Sequence, residues 1–312
     1  MELSAEAHVP AAISNFFTIG DFSLDRLSPA SDLHQVGAMG GGFMLSRGVR
    51  TRVTVSRSPD GRPRIARLVV DGDPGYRAMT TRMAIEMLLN DLPDRGLSLT
   101  IEQRMEVPVG QGFGASAASA LSAVNALSAA LELGKSKAEI AYYAHAADII
   151  CRTGLGTVSV IYRYGGAGVI VKPGSPGVAV VKNVPVPDDA RVVTASLAPY
   201  EKSVILSSHE MKARVNRLGA QALDASSALT LESLVHAGEA FADGLGLESA
   251  DVSRLLKTAR TSGAMGASQN MVGHAIHAIV PEREVVRVAA ALRSDPSSPT
   301  VNVYDFGAGP SS

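Results

Sequence analysis

Three glycines fall within five residues of the stretch Pro108–Ser122, which reads PVGQGFGASAASALS. Glycine has no Cβ, so the backbone of such a loop can approach a ligand closely. The alanines and serines that follow predict a helix from Ala115 to Leu133. The first amides of a helix lack partners within the helix and form an anion site at the positive end of its dipole. The pattern therefore indicates either a phosphate cradle or a small-residue turn that leads into a tightly packed helix.

The residues before the glycines favour the cradle. Leu97, Leu99 and Ile101 alternate with more polar residues, which predicts a half-buried strand that leads into the loop. The P-loop of nucleotide triphosphatases is excluded, because it requires a lysine and no lysine lies between Arg104 and Lys135. The dinucleotide fingerprint is excluded as well, since the glycines are spaced G-x-G-x-G rather than G-x-G-x-x-G.

The composition narrows the classes of partner. The chain has 312 residues with 29 basic and 30 acidic side chains, so no global field attracts nucleic acid or an anionic membrane. Tryptophan is absent, and no segment approaches the roughly 20 apolar residues of a membrane span. Cys151 is the only cysteine, which excludes intrachain disulfides and fits a reducing compartment. We predict a cytoplasmic protein that binds a small molecule and neither nucleic acid nor a membrane.

The order of predicted elements favours an α+β fold, because hairpins and helices are grouped rather than alternating regularly. Arg50–Ser56 and Arg64–Val70 flank Asp60-Gly61 and predict a hairpin. Ser136 and Glu139 form a capping-box pattern in front of a helix. Gly134 is the predicted C-cap of the preceding helix. The proline-containing segment Lys182–Val192 is the predicted connection between two halves.

The opening stretch resembles the ATP-binding motif of the GHMP kinases, P-x-x-x-G-[LF]-G-x-S-[AG]-A. Further segments resemble, in order and spacing, the archaeal pantoate kinase branch of that family, and the resemblance spans nearly the whole chain. These segments are AHVPAAISNFF, GAMGGGFMLSRGV, AHAADIICRTGLGTVSV, GGAGVIVKPGSPG and SGAMGASQNMVG. Members of that branch use ATP to convert pantoate to 4-phosphopantoate on the archaeal route to coenzyme A. The last segment is expected either to line a cleft between two lobes, opposite the phosphates, or to pack as a strand, turn and helix.

The resemblance implies a two-lobed α+β fold with ATP and acceptor in the cleft between the lobes. Residues 1–184 would form an N-terminal ribosomal-protein-S5-like lobe, and residues 185–312 a C-terminal ferredoxin-like lobe. ATP and Mg²⁺ are the implied cofactors, pantoate or a similar hydroxy acid is the implied acceptor, and a homodimer is a further hypothesis. The residues expected to bind the nucleotide are Pro108, Gly110, Gly112, Phe113, Gly114, Ala115 and Ser116.

Four side chains are the expected catalytic residues. By the resemblance, Ser116 and Asp148 would hold Mg²⁺, while His145 and Thr157 would face the acceptor. His145 and Asp148 are three residues apart and share one helix face. The alternatives are a buried core histidine and a solvated aspartate.

Three positions depart from the pattern of the family. Thr157 stands where the relatives have an aspartate, and Ala38 stands where they have a serine. The strand around Val169–Val171 lacks an expected arginine that would bind the acceptor carboxylate, although Lys172 follows closely. Three interpretations stay open: a pantoate kinase with a rearranged acceptor site, a kinase for a different small alcohol, and a nucleotide-binding protein without catalysis.

Overall fold

The computed structural model describes residues 2–20, 27, 32–93, 96–163, 165–198, 209–271 and 273–307. Its strands are β1 (Leu3–Phe17), β2 (Gly40–Arg57), β3 (Arg64–Val70), β4 (Leu97–Met105), β5 (Ala167–Lys172), β6 (Val180–Val184), β7 (Ala190–Ser196), β8 (Gly266–Gln269), β9 (Ala275–Pro281) and β10 (Thr300–Tyr304). Its α-helices are α1 (Met79–Asp91), α2 (Ala115–Leu131), α3 (Lys137–Ile150), α4 (Thr157–Arg163), α5 (His209–Ala225), α6 (Leu231–Leu245), α7 (Ala250–Thr261) and α8 (Val285–Arg293). The α+β class is confirmed. None of the described helices combines the length and the apolar character that a membrane crossing needs.

The first sheet has the strand order β3-β4-β2-β5-β6, and β1 pairs with β2 along nearly its whole length. The predicted hairpin of β2 and β3 is wrong, because β4 lies between them and pairs antiparallel with β2 and parallel with β3. The reason is burial. Leu97, Leu99 and Ile101 are buried in the core, and the central position lets β4 bury them. The chain crosses over through α1 to make the parallel pair.

The second sheet has the order β10-β7-β9-β8 and is antiparallel throughout. The segment that follows β8 turns back into β9, so it forms a strand hairpin and not the strand, turn and helix that its small residues suggested. The chain passes from the first sheet to the second between Val184 and Ala190. Helices α5 and α6 of the C-terminal half also pack against β1, and the boundary at residues 184/185 stays a prediction.

Helix α2 is buried on most of its surface because it consists almost entirely of small residues. It packs against β1, β2, α1 and α3. Its C-cap is Glu132 in the left-handed region (φ 49°), two residues before the predicted C-cap Gly134. The capping box of α3 is confirmed, with the Ser136 hydroxyl accepting from the Glu139 amide at 3.3 Å. The packing of α2 fixes where its N-terminus points, and that end carries the glycine-rich loop.

Candidate active site

The three glycines of the loop have different surroundings. All three have positive φ: 74° at Gly110, 78° at Gly112 and 61° at Gly114. A Cβ on Gly112 would overlap the backbone of Asn270 in the β8–β9 turn, and one on Gly114 would lie 2.7 Å from the Ala12 carbonyl oxygen. A Cβ on Gly110 would meet nothing within 4 Å. Gly112 and Gly114 thus allow close packing, whereas Gly110 faces open space.

The N-terminus of α2 is available to an anion. Its N-cap is Gly114, which has no side chain to cap the first amides, and the first turn contains no acidic residue. The Ala118 amide is bonded to the Gly114 carbonyl at 3.1 Å, so the amides of Ala115 and Ser116 precede the helical hydrogen-bond ladder. Phe113 is buried against Tyr304 of the second sheet, so its side chain anchors the loop. Any contact of Phe113 with a ligand would be made by its backbone.

Asp148 lies beside this helix end. It is 2% exposed, and its Oδ1 accepts hydrogen bonds from the Thr153 hydroxyl at 2.6 Å and the Ser116 hydroxyl at 3.3 Å. Burial raises the pKa of Asp148 from 3.8 to about 6, and the two hydroxyl bonds oppose that rise. A Cβ on Gly154 would overlap the Asp148 carboxylate, so glycine is required where the TGLG turn passes it. The structure therefore brings Ser116 and Asp148 together as the sequence predicts.

His145 is buried, with 1% of its surface exposed, and its Nε2 lies 3.0 Å from the Val36 carbonyl oxygen. Burial lowers the pKa of this imidazole to about 4, so the ring is neutral near pH 7 and Nε2 donates to the carbonyl. That contact holds the loop that carries Ala38. His145 thus matches the core-histidine alternative, and a direct part in the chemistry stays a prediction.

Thr157 begins α4 and lies next to the glycine-rich loop, since its Cγ2 would be 2.8 Å from a Cβ on Gly114. The Ala38 amide donates to the Leu155 carbonyl at 2.7 Å, so the GAMG and TGLG segments are bonded to each other. The fold therefore gathers the loop, Thr157 and the Ala38 segment. It also shows that valine at Gly114 would strike the Ala12 carbonyl and Thr157.

Comparisons with known proteins agree with this geometry. A family model described as the GHMP kinases N terminal domain matches residues 79–163, which include the glycine-rich loop and Asp148. The pantoate kinase of Methanospirillum hungatei JF-1 is 29% identical over 287 residues, covering 92% of this chain and 91% of that protein. Residues 79–163 of the chain therefore match a GHMP kinase N-terminal domain, and nearly the whole chain is similar to a pantoate kinase.

Two further proteins are similar to this chain. A mevalonate kinase of Thermococcus gammatolerans is 27% identical over 250 residues, which is 70% of this chain and 71% of that protein. A solved structure described as a phosphotransferase related to the CoA biosynthesis pathway superimposes with a TM-score of 0.79 at 26% identity. It covers 98% of this chain and 96% of its own. The similarity to the second protein thus extends over the second sheet as well as the first.

The residues beside the N-terminus of α2 fit a magnesium ion. Asp148 Oδ2 is buried and has no hydrogen-bond partner within the described part of the chain. Together with the Ser116 hydroxyl it offers the oxygen ligands that Mg²⁺ prefers. The described residues contain no group of three or more His, Cys, Asp or Glu side chains that could hold a metal alone.

A lysine that the sequence analysis did not single out lies next to Val169, where an arginine was expected. Val169 and Val171 line a hollow of about 190 Å³ together with Lys182 and the connection from α5 to α6. Lys182 is the register partner of Val169 in the antiparallel pair of β5 and β6, so the two side chains share one face of the sheet. Lys182 lies next to Val169 because β6 pairs with β5, and local sequence patterns do not predict that pairing.

Proposed function

We propose that this protein is a GHMP kinase that transfers the γ-phosphoryl group of ATP to the hydroxyl of pantoate and forms 4-phosphopantoate. The observation that carries the proposal is the Ser116–Asp148 pair beside the uncapped N-terminus of α2. Its geometry suits phosphates and a cation, and the pantoate kinase relative matches over 91% of its length. A phosphoryl donor therefore has a binding surface at a point where charge can be neutralised.

The nucleotide would be bound mainly by the backbone of the loop. In this proposal the α2 amides receive the phosphates, and Gly110 lets the loop approach them because nothing occupies its open side. Ser116 and Asp148 would hold Mg²⁺, which would supply positive charge against the transferred group. Asp148 is suited to that role only in its ionised form, which the raised pKa of about 6 still permits near pH 7.

The acceptor would lie between the loop and the segment that contains Ala38. Thr157 is next to Gly114. Its hydroxyl can orient an acceptor hydroxyl, but it cannot take the proton near neutral pH as a carboxylate can. Phosphoryl transfer depends mostly on positioning and electrostatics, so the missing base is compatible with turnover. His145 contributes in this proposal by holding the Val36 carbonyl and thereby the acceptor loop.

Two alternatives have specific support. A kinase for another small alcohol is favoured by the departures at Ala38, Thr157 and Val169, all on the acceptor side. The similarity to a mevalonate kinase over 70% of the chain agrees with that reading. A nucleotide-binding protein without catalysis is favoured by one feature, which is that Thr157 stands where the relatives are expected to have an aspartate. We propose a cytoplasmic protein that acts on a small molecule, and a homodimer is an additional hypothesis for light scattering to decide.

One assay separates the three. Purified protein with Mg-ATP is tested for ADP release with pantoate and, in parallel, homoserine, mevalonate, galactose and shikimate. We expect turnover with pantoate. Turnover with another alcohol but none with pantoate would support the second reading. ATP binding without turnover on any acceptor would support the third.

A further inference from the structure

A chain of buried polar side chains joins the two sheets to the glycine-rich loop. His277 of β9 is fully buried; its Nε2 lies 3.0 Å from Asn15 Oδ1 on β1, and its Nδ1 lies 2.9 Å from Asn270 Oδ1. Asn270 in turn donates from Nδ2 to the Gln111 carbonyl of the loop, at 3.4 Å. Asn15, His277 and Asn270 are each at most 2% exposed. Nothing described so far explains why three polar side chains should be buried here.

The orientation of the two amides follows from their other partners. Asn15 Nδ2 donates to the Leu234 carbonyl of α6 at 2.7 Å, so its oxygen must face His277. Asn270 is oriented the same way, since its nitrogen faces the Gln111 carbonyl. Both ring nitrogens of His277 therefore face side-chain oxygens, which are acceptors.

The proton count of His277 leaves one contact unsatisfied. Burial lowers the pKa of His277 to about 3, so the ring is neutral near pH 7 and carries one N–H. The proton can lie on either nitrogen, so only one of the two contacts is a hydrogen bond at a time. With the proton on Nδ1, the ring donates to Asn270 and Nε2 faces the Asn15 oxygen. With the proton on Nε2, the ring donates to Asn15 and Nδ1 is an acceptor that faces the Asn270 oxygen. If the Asn270 amide then rotates by half a turn, its nitrogen donates to Nδ1, but its oxygen faces the Gln111 carbonyl oxygen.

Asn270 therefore has two orientations, and each leaves one contact of this chain of side chains without a hydrogen bond. We propose that Asn270 is a positioning residue that acts as a latch on the nucleotide loop: its amide either donates to the Gln111 carbonyl and holds the loop, or donates to His277 and releases it. The proposal rests on the proposed role of this loop in ATP binding. A bound nucleotide selects the held orientation, because phosphates on the loop amides fix the backbone that carries the Gln111 carbonyl.

The tight packing around the latch supports this role. A Cβ on Gly112 would overlap the Asn270 backbone, and one on Gly273 would overlap Gln111, so the loop and the β8–β9 turn are in backbone contact. The Gly273 amide also donates to the Asn270 carbonyl at 2.8 Å, which fixes the backbone of the turn. The Asn270 side chain can thus change partners while its backbone remains in place.

The test is the affinity for a non-hydrolysable ATP analogue, AMP-PNP with Mg²⁺, measured by calorimetric titration. Asn270→Asp keeps the shape of the side chain but cannot donate to Gln111, and Asn270→Ala removes the latch. We expect Kd to rise about tenfold in both variants, the effect of losing one buried hydrogen bond. Ser268→Ala is the matched control. It removes a buried bond of the same hairpin, 3.2 Å to the Gly238 carbonyl, that does not reach the loop.

Thermal melting separates positioning from a loss of fold, because Ser268→Ala is expected to lower Tm without changing Kd. An unchanged Kd in the Asn270 variants, or an equal rise in Ser268→Ala, would overturn the latch. Hydrogen exchange on the unmodified protein gives a second test: the analogue should protect the loop and the β8–β9 turn together, and protection of the loop alone would also overturn it. Neither measurement uses an acceptor, so a failure with pantoate leaves this test intact.

Discussion

The proposed nucleotide half and the proposed acceptor half of the site are built on different principles. In the nucleotide half, glycine conformations and packing hold the loop, and the groups left for a ligand are backbone amides with Ser116 and Asp148. In the acceptor half, three connecting segments are bonded mainly to one another. The Ala38 amide donates to Leu155, and the Ser175 amide donates to the His34 carbonyl at 3.0 Å. The Ser159 hydroxyl donates to the Gly174 carbonyl at 2.8 Å.

This difference explains why the expected departures from the family pattern fall in the acceptor half. Backbone amides recognise phosphate whatever the acceptor is, so the loop must keep its glycines and its strand-to-helix geometry. An acceptor is distinguished by side chains that project from a shared frame. Such side chains can change without disturbing the backbone bonds beneath them. The expected departures from the family pattern at Ala38, Thr157 and Val169 are of this kind, since they concern side chains and leave the backbone bonds of the frame in place.

The largest expected effect tests the nucleotide half. Asp148→Asn should lower kcat about a thousandfold or more, because an amide is a poor substitute for a carboxylate at a cation. The same variant should be more stable than the parent at high pH. Since the folded pKa of about 6 exceeds 3.8, the carboxyl favours the folded state when protonated, and this contribution is lost as the pH rises through about 6.

Melting curves at several pH values test whether Asp148→Asn is more stable than the parent at high pH. We expect Asp148→Asn to gain up to about 3 kcal/mol over the parent at pH 8, which corresponds to the two pKa units of the shift. The gain should shrink as the pH falls toward the pKa of the unfolded aspartate. A variant that is less stable than the parent at pH 8 would mean that the buried carboxylate has a compensating partner.

A smaller effect is expected at Ser116. Ser116→Ala removes the hydroxyl that lies 3.3 Å from Asp148 Oδ1 and should lower kcat about 10- to 100-fold. Because this bond lowers the pKa of Asp148, its loss should also move the acidic limb of the rate profile to higher pH. Ser119→Ala is the control on the same helix, since its hydroxyl donates only to the Met105 sulfur at 3.6 Å. A decrease in kcat with an unshifted acidic limb would show that Ser116 affects turnover without acting on the pKa of Asp148.

Local patterns in the sequence predicted the strand, the loop and the helix of the proposed nucleotide half well. The alternation of β4, the three glycines and the small residues of α2 each reflect contacts with near neighbours in the chain. The long-range pairings were not accessible in that way. The position of β4 between β2 and β3, the contact of Asn270 with Gln111 and the pairing of Lys182 with Val169 each depend on how distant strands meet. The acceptor half consists mostly of such contacts.

Thr157→Asp tests whether the acceptor half keeps the geometry of the family. If Thr157 occupies the position of the missing base, a carboxylate there should raise kcat/KM for pantoate about tenfold, since a general base accelerates proton transfer. Thr157→Asn has nearly the same shape without a base and should not increase activity. A lower activity in both variants would indicate that the site has rearranged around threonine.

The smallest expected effect concerns the lysines near Val169. Val169 and its register partner Lys182 line a hollow of about 190 Å³ together with Asp224 of α5, whereas Ile170 faces the TGLG turn at Gly156. Successive residues of a strand point to opposite faces of the sheet, so Lys182 lies on the face away from Gly156 and Ala38. Lys182→Met should therefore leave KM for pantoate and KM for ATP unchanged, and Lys172→Met is the matched variant on β5. A rise in KM for pantoate of up to about fivefold in Lys182→Met, the size expected for an exposed ion pair, would instead place the acceptor carboxylate in this hollow.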